Sequence, residues 1–237
     1  MTNCGMAGLK KQVRAQSGGV ALSSKGGLKD AAAVLKAGGV VMHATETCYG
    51  LAADIFNPKA VEKIYAIKRM DHAKPVSIMV RGLDEAQKYA RFNKMVLDLA
   101  KKYWPGPLTI ILPRKKALPA FLNRGHKTVG LRCPDSAVAQ KLIKANGGPL
   151  VTTSANISGK KEVYKVQDYI RQTGKSLRKK DGIAGNNDPD LIIDDGLIVK
   201  NPPSTIVAFE KGRLKMIREG DLWIKILKQY GGNGLLS

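Results

Sequence analysis

Six short runs in this chain, VVMHA (40–44), YGLAADIF (49–56), VSIMV (76–80), PLTIILP (107–113), TVGLRC (128–133) and PLVTT (149–153), are apolar almost throughout. A strand with one wet face alternates apolar and polar residues, whereas a run that is apolar at both parities must be covered on both sides. Helical patterns separate most of these runs, which predicts one sheet with helices on both faces, an α/β architecture. LKDAAAVLKAGG (28–39) reads as a helix closed by Gly38. PKAVEKIYAIKR (58–69) reads as one capped by Asn57, with Pro58 at its first position. Further helices are predicted over 83–90, 94–103, 165–174 and 221–230, and one over 135–146 opened by Asp135. LIIDDG, STIVAF and LKMIRE add strands, and hairpin-like neighbours near 190–218 predict a mixed sheet.

No repeat or long linker interrupts this pattern, so residues 28–230 are expected to form one domain. Residues 1–27 contain no acidic residue but carry Lys10, Lys11, Arg14 and Lys25, which predicts a basic, weakly structured leader; 231–237 reads as a tail. No apolar run is long enough to span a membrane. Cys4, Cys48 and Cys133 lie far apart without metal-ligand spacing, and no signal peptide is seen, so a reducing, cytoplasmic location is expected. Forty Lys and Arg against 19 Asp and Glu leave a net charge of +21. That excess favours polyanions such as RNA or nucleotides, although lysines on helix surfaces also serve solubility alone.

The chain has no nucleophile elbow, Walker loop or Rossmann glycine fingerprint, and His43, His72 and His126 lack partners at metal-ligand spacing. Polar residues gather instead at strand ends, where ligands bind in open α/β sheets. HATETCYGL holds Thr45, Glu46 and Thr47; IKRMDHAKP holds Lys68, Arg69 and Lys74; KTVGLRCPD holds Thr128 and Arg132. LVTTSANISG supplies Thr152, Ser154 and Asn156, PPSTIV supplies Ser204, and MIREG supplies Arg218. Most have a plain structural use. Threonines close turns, helix-terminal cations offset the macrodipole, and Arg218 could pair with Glu219 on the surface. Arg132 resists that treatment, because an arginine within an apolar strand is costly unless it is paired or faces a cleft. Cations and hydroxyls without an acid–base pair suit an anionic ligand and catalysis by positioning and charge neutralisation.

The stretches ATETCYGLAADIF, IYAIKRMDHAKP, WPGPLTIIL, TVGLRCPD, TTSANISG, PSTIV and IREG, in that order, resemble the YrdC-like family over about residues 28–222. In motif detail the chain is most similar to the YciO branch. The resemblance implies a single-domain twisted mixed β-sheet flanked by helices, enclosing a basic cavity. It implies a nucleotidyltransferase of the threonylcarbamoyl-AMP synthase type, which converts ATP, bicarbonate and L-threonine to threonylcarbamoyl-AMP and pyrophosphate. A t6A transfer complex would then use the product on tRNA. Carried over by motif, Lys68 and Arg132 would be catalytic, and Lys68, Thr128, Ser154, Asn156 and Arg218 would bind nucleotide. Thr45, Arg132, Thr152 and Ser204 would bind threonine. Mg²⁺ would accompany ATP, with no protein ligand assigned to it. Three positions depart from the family pattern: Met70 occupies the usual arginine position, Met79 stands where many synthases have histidine, and Ala44 replaces proline. Arg69 neighbours the missing arginine, but adjacent helix positions point about 100° apart. These departures imply a second expectation, a YciO-like RNA-binding protein or an enzyme acting on another nucleotide or RNA substrate.

Overall fold

The computed structural model describes residues 21–23, 27–174 and 187–230. The expected tail and most of the expected leader lie outside these residues; within the leader, Ala21–Ser23 forms strand β1. There follow α1 (Leu28–Lys36), β2 (Val41–Ala44), β3 (Tyr49–Asp54), α2 (Pro58–Lys68) and β4 (Ser77–Met79). The chain continues through α3 (Leu83–Tyr89), α4 (Lys94–Tyr103), β5 (Leu108–Pro113), β6 (Thr128–Arg132) and α5 (Ala137–Asn146). It ends with β7 (Leu150–Ser154), α6 (Val166–Thr173), β8 (Leu191–Ile193), β9 (Thr205–Glu210), β10 (Arg213–Arg218) and α7 (Trp223–Tyr230).

Local chemistry sets several boundaries. Asn57 caps α2 by accepting from the Ala60 N–H at 3.1 Å, as expected. The helix stops because Arg69 turns left-handed, at φ 48°. At α5 the cap is Ser136, not Asp135: the Ser136 hydroxyl accepts from the Ala139 N–H at 3.3 Å. The Asp135 N–H is directed instead at Glu46, at 3.3 Å.

All ten strands of the described residues join one mixed sheet in the order β1-β8-β2-β3-β7-β4-β6-β5-β9-β10. β9 and β10 form the expected antiparallel hairpin at one edge. β8 is no neighbour of theirs; it lies near the opposite edge, parallel to β1 and β2.

Alternating residues divide the sheet into two faces. On the first, Met42, Leu51, Ile78, Ile110, Leu131 and Val151 pack with Ile64 of α2, Leu99 of α4 and Ile226 of α7. On the second, Val41, Ala52, Met79, Leu150 and Leu191 pack with Leu35 of α1 and Leu142 and Ile143 of α5. This second apolar cluster covers only part of its face. Across β7, β4 and β6, Thr152 pairs with Ser77 and Ser77 with Gly130. In the next row Arg132 pairs with Thr109, Thr109 with Ile206, and Ile206 with Arg218. Cross-strand partners share a face, so these rows carry hydroxyls and two guanidiniums onto the side that α1 and α5 leave open.

Candidate anion-binding site

That open ground is a cavity of about 170 Å³. Gly50, Ser77, Thr109, Thr152 and Ser154 line it from the strands; Thr45, Thr47 and Cys48 from the β2–β3 turn; Arg132, Ser204 and Arg218 complete its polar wall. The turn is held by one hydroxyl. Thr45 Oγ1 accepts from the N–H groups of Thr47 and Cys48, both at 3.2 Å, and donates to the Cys48 carbonyl at 2.7 Å. Thr45 is therefore a turn residue and a cavity residue at once.

Arg132 meets both conditions that its place in an apolar strand demands. Its Nη2 donates to Glu46 Oε1 at 2.7 Å and to Thr47 Oγ1 at 3.2 Å, and the residue lines the cavity with only 9% exposed. Its Nε is buried without a hydrogen-bond partner among the described residues. Arg218 is not engaged with Glu219. It donates from Nε to the Ser204 carbonyl at 3.0 Å and from Nη2 to Ser204 Oγ at 2.7 Å. Burial, then the neighbouring Arg132, lowers its pKa. Gly220 keeps this corner tight, since a Cβ there would stand 2.2 Å from the Pro203 carbonyl oxygen.

Lys68 sits under the cavity's Ser154 edge and is not among the lining residues. Its ammonium is 4% exposed as a residue and donates to the carbonyls of Ser154 (2.5 Å) and Asn156 (2.8 Å) and to Asn156 Oδ1 (3.3 Å). The Ser154 hydroxyl bonds to Asn156 Oδ1, and Asn156 Nδ2 donates to the Lys160 carbonyl. LVTTSANISG is thus a cavity strand followed by a turn that a buried lysine fastens. Burial lowers the Lys68 pKa to about 8, against smaller opposing influences from Cys48 and Glu162.

Of the expected site residues, Thr45, Arg132, Thr152, Ser154, Ser204 and Arg218 converge on the cavity. Lys68 and Asn156 lie behind it, joined to each other, and Thr128, at the start of β6, is not among its lining residues. Met79 is fully buried in the apolar cluster under α1 and α5, Met70 packs against the opposite cluster, and Arg69 is exposed. Ser77, Thr109, Cys48, Glu162 and Tyr164 line the cavity without having been expected. For Ser77 and Thr109 a signal existed, since each is a lone hydroxyl inside an otherwise apolar strand.

His43 lies on the same face of the sheet, paired with Gly50, and is fully buried. Its Nδ1 is 3.0 Å from the Ala44 carbonyl oxygen and its Nε2 has no partner among the described residues. Burial holds its pKa at about 4, against 6.5 ordinarily. As pH falls between those values the unfolded chain takes up a proton that the folded chain refuses, so His43 makes stability fall with acidification. At about 1.4 kcal/mol per tenfold change in proton affinity, the loss is about 3 kcal/mol by pH 4. Urea denaturation of wild type and His43→Phe at pH 7 and pH 4.5 is expected to show a smaller acid loss in the variant; equal losses would contradict it.

The fold and site define an α/β protein with a cavity lined by hydroxyls and two guanidiniums on one face of a mixed sheet. Residues 33–220 match the model of the Sua5/YciO/YrdC family, which carries the description Telomere recombination; the chain belongs to this family. A Methanocaldococcus jannaschii protein provisionally named threonylcarbamoyl-AMP synthase is 37% identical over 190 residues, 80% of this chain and 84% of that protein. The crystal structure of P. abyssi Sua5 complexed with L-threonine superposes with a TM-score of 0.77 at 28% identity, covering 90% of this chain and 61% of that one. This chain therefore spans about three fifths of Sua5. E. coli YciO superposes with a TM-score of 0.71 at 25% identity, covering 88% of this chain and 98% of YciO.

Proposed function

We propose that the chain is a threonylcarbamoyl-AMP synthase, condensing L-threonine, bicarbonate and ATP into threonylcarbamoyl-AMP with release of pyrophosphate and water. The observation that carries this reading is the convergence of Arg132 and Arg218 with a row of hydroxyls on one cavity. Threonine carbamate bears two negative charges and must approach a polyphosphate, so guanidiniums fixed in advance lower the barrier by offsetting that repulsion. The unpartnered Nε of Arg132 suits the substrate carboxylate, with Thr45, Thr152 and Ser204 as hydroxyl partners. Ser154 and Arg218 serve the nucleotide. Lys68 and Asn156 act one layer out, by shaping the turn that presents Ser154. Mg²⁺ would accompany ATP to offset the charge of the triphosphate, with no protein ligand assigned to it.

The names of the Methanocaldococcus jannaschii relative and of the threonine complex of P. abyssi Sua5 support the reaction and the amino acid. The product would pass to a t6A transfer complex acting on tRNA, and a net charge of +21 suits such a partner. No described helix is long and apolar enough to cross a membrane, and a cytoplasmic location belongs to the same proposal.

The test is incubation of the chain with labelled bicarbonate, ATP, Mg²⁺ and L-threonine. Labelled threonylcarbamoyl-AMP, formed only with threonine and matched by pyrophosphate, is the expected result. Absence of product while ATP still binds would move the reading to a YciO-like protein acting on another nucleotide or on RNA. The buried Met79 and the 98% coverage of E. coli YciO favour that second reading.

A further inference from the structure

Glu162 lies three residues beyond Gly159, outside every stretch that carries the family resemblance. It is half-buried on the segment between β7 and α6 and lines the cavity. With Tyr164 it also lines an adjoining groove of about 560 Å³, so it stands where the two meet. Among the described residues its carboxylate has no hydrogen bond or ion pair with another protein group. Glu46, on the β2–β3 turn, differs: one of its oxygens takes Arg132 at 2.7 Å and the Asp135 N–H at 3.3 Å. The cavity lining therefore carries two guanidiniums and one unengaged carboxylate.

Opposite charges at two places in one small cavity are complementary to a zwitterion, with carboxylate toward guanidinium and ammonium toward carboxylate. Guanidiniums and hydroxyls alone would accept any small oxyanion. A fixed carboxylate adds repulsion against anions that bring no cation of their own, which is how a site rejects as well as selects. The electrostatic reach is short, because Glu162 acts on Cys48 and Arg218, and Cys48 in turn lies within the influence of Arg132 and Arg218.

We propose that Glu162 receives the α-ammonium of the amino-acid substrate and so selects amino acids over hydroxy acids of the same skeleton. This rests on the synthase reading above. After carbamoylation the nitrogen retains one N–H, which can donate to the same carboxylate, so the contact also serves the carbamate. Glu162 is in this sense a specificity residue, and the transfer itself needs no proton from it.

The experiment is calorimetric titration of the full chain with L-threonine and with 3-hydroxybutyrate, which lacks the amino group, for wild type, Glu162→Gln and Glu162→Ala. Glu162→Gln is expected to weaken threonine binding at least tenfold and Glu162→Ala at least as much. Affinity for ATP should not fall, since the change removes a negative charge from the cavity, and the melting temperature should be unchanged, since Glu162 bonds to no other group among the described residues. Hydroxybutyrate should bind wild type weakly and both variants at least as well. If wild type binds threonine and both variants bind it equally, the assignment of Glu162 is overturned and the synthase reading stands. If wild type binds no threonine at all, the synthase reading falls and this inference falls with it.

Discussion

Replacing Arg132 by alanine is expected to lower kcat/KM for threonine-dependent pyrophosphate release by at least about a thousandfold, the scale of losing a preorganised charge at a reacting centre. The same change should destabilise the fold. Arg132 and Glu46 are paired at 2.7 Å with side chains 10% and 18% exposed, and removing one partner of a buried pair costs about 3–5 kcal/mol. Glu46 Oε2 already lacks a hydrogen bond among the described residues, so little else would compensate its charge. The two consequences separate in the double variant Arg132→Ala/Glu46→Ala, which removes the stranded carboxylate. Denaturation should show most of the stability restored, while activity stays absent. If activity returns with stability, Arg132 is a structural ion-pair member and not a substrate ligand.

The second large effect is expected at Lys68. Lys68→Met keeps the buried aliphatic stem but takes the lysine donor from the Ser154 and Asn156 carbonyls, while Asn156 Oδ1 keeps only the Ser154 hydroxyl. Unsatisfied buried acceptors cost about 1–3 kcal/mol each where water cannot reach them; with partial rescue by water, a total loss of about 2–4 kcal/mol is expected. Because Ser154 lines the cavity, activity should fall at least about a hundredfold, on the scale of a misplaced catalytic group.

Wild-type pH dependence carries a sharper mark of the same lysine. With its pKa lowered by burial to about 8, Lys68 loses its charge and one of three N–H donors above that pH, so kcat/KM should decline on the alkaline side. Stability should move the opposite way. Between pH 8 and the ordinary lysine value of 10.5, the unfolded chain holds the proton more tightly than the folded one, so this group raises stability as pH rises. Activity profiles and urea midpoints measured together over pH 7–10 test this, with Lys68→Arg as the non-titrating control. An unchanged alkaline limb in Lys68→Arg would assign that limb to another group.

Most elements of this fold were legible because they are signalled locally; β1, inside the expected leader, was not, since it is a strand only through its pairing with β8. Asn57 and Pro58 mark the start of α2, and the predicted end at Arg69 misses by one residue only because Arg69 adopts the left-handed cap. The mistaken cap at Asp135 has a tertiary cause, since the Asp135 N–H is drawn to Glu46 from the β2–β3 turn, a partner 89 positions away. Strand order was legible only in part. A β9–β10 hairpin follows from two short runs around Lys211 and Gly212, but nothing local to LIIDDG says that it pairs with β1 and β2 at the far edge.

The site divides in the same way. Arg132 announced itself through the cost of a charge in an apolar strand. Lys68 was legible as important but not as buried behind the cavity, because its three acceptors come from residues 86 and 88 positions away. Ser77 and Thr109 became cavity residues through register, which sets them opposite Thr152 and Arg132. Glu162 stood in no recognisable pattern at all.

The alternation along β5 and β7 has a consequence for how such a protein can change its ligand. Leu108, Ile110 and Leu112 are committed to one face, and Thr109 between them belongs to the cavity; Val151 and Thr152 divide likewise. Residues adjacent in the chain thus answer to separate requirements, one set by packing density and the other by what the cavity must hold. A substitution at Thr109, Thr152 or Ser77 can alter selectivity while leaving the opposite cluster intact, so new specificities can be tried on this sheet without remaking its core.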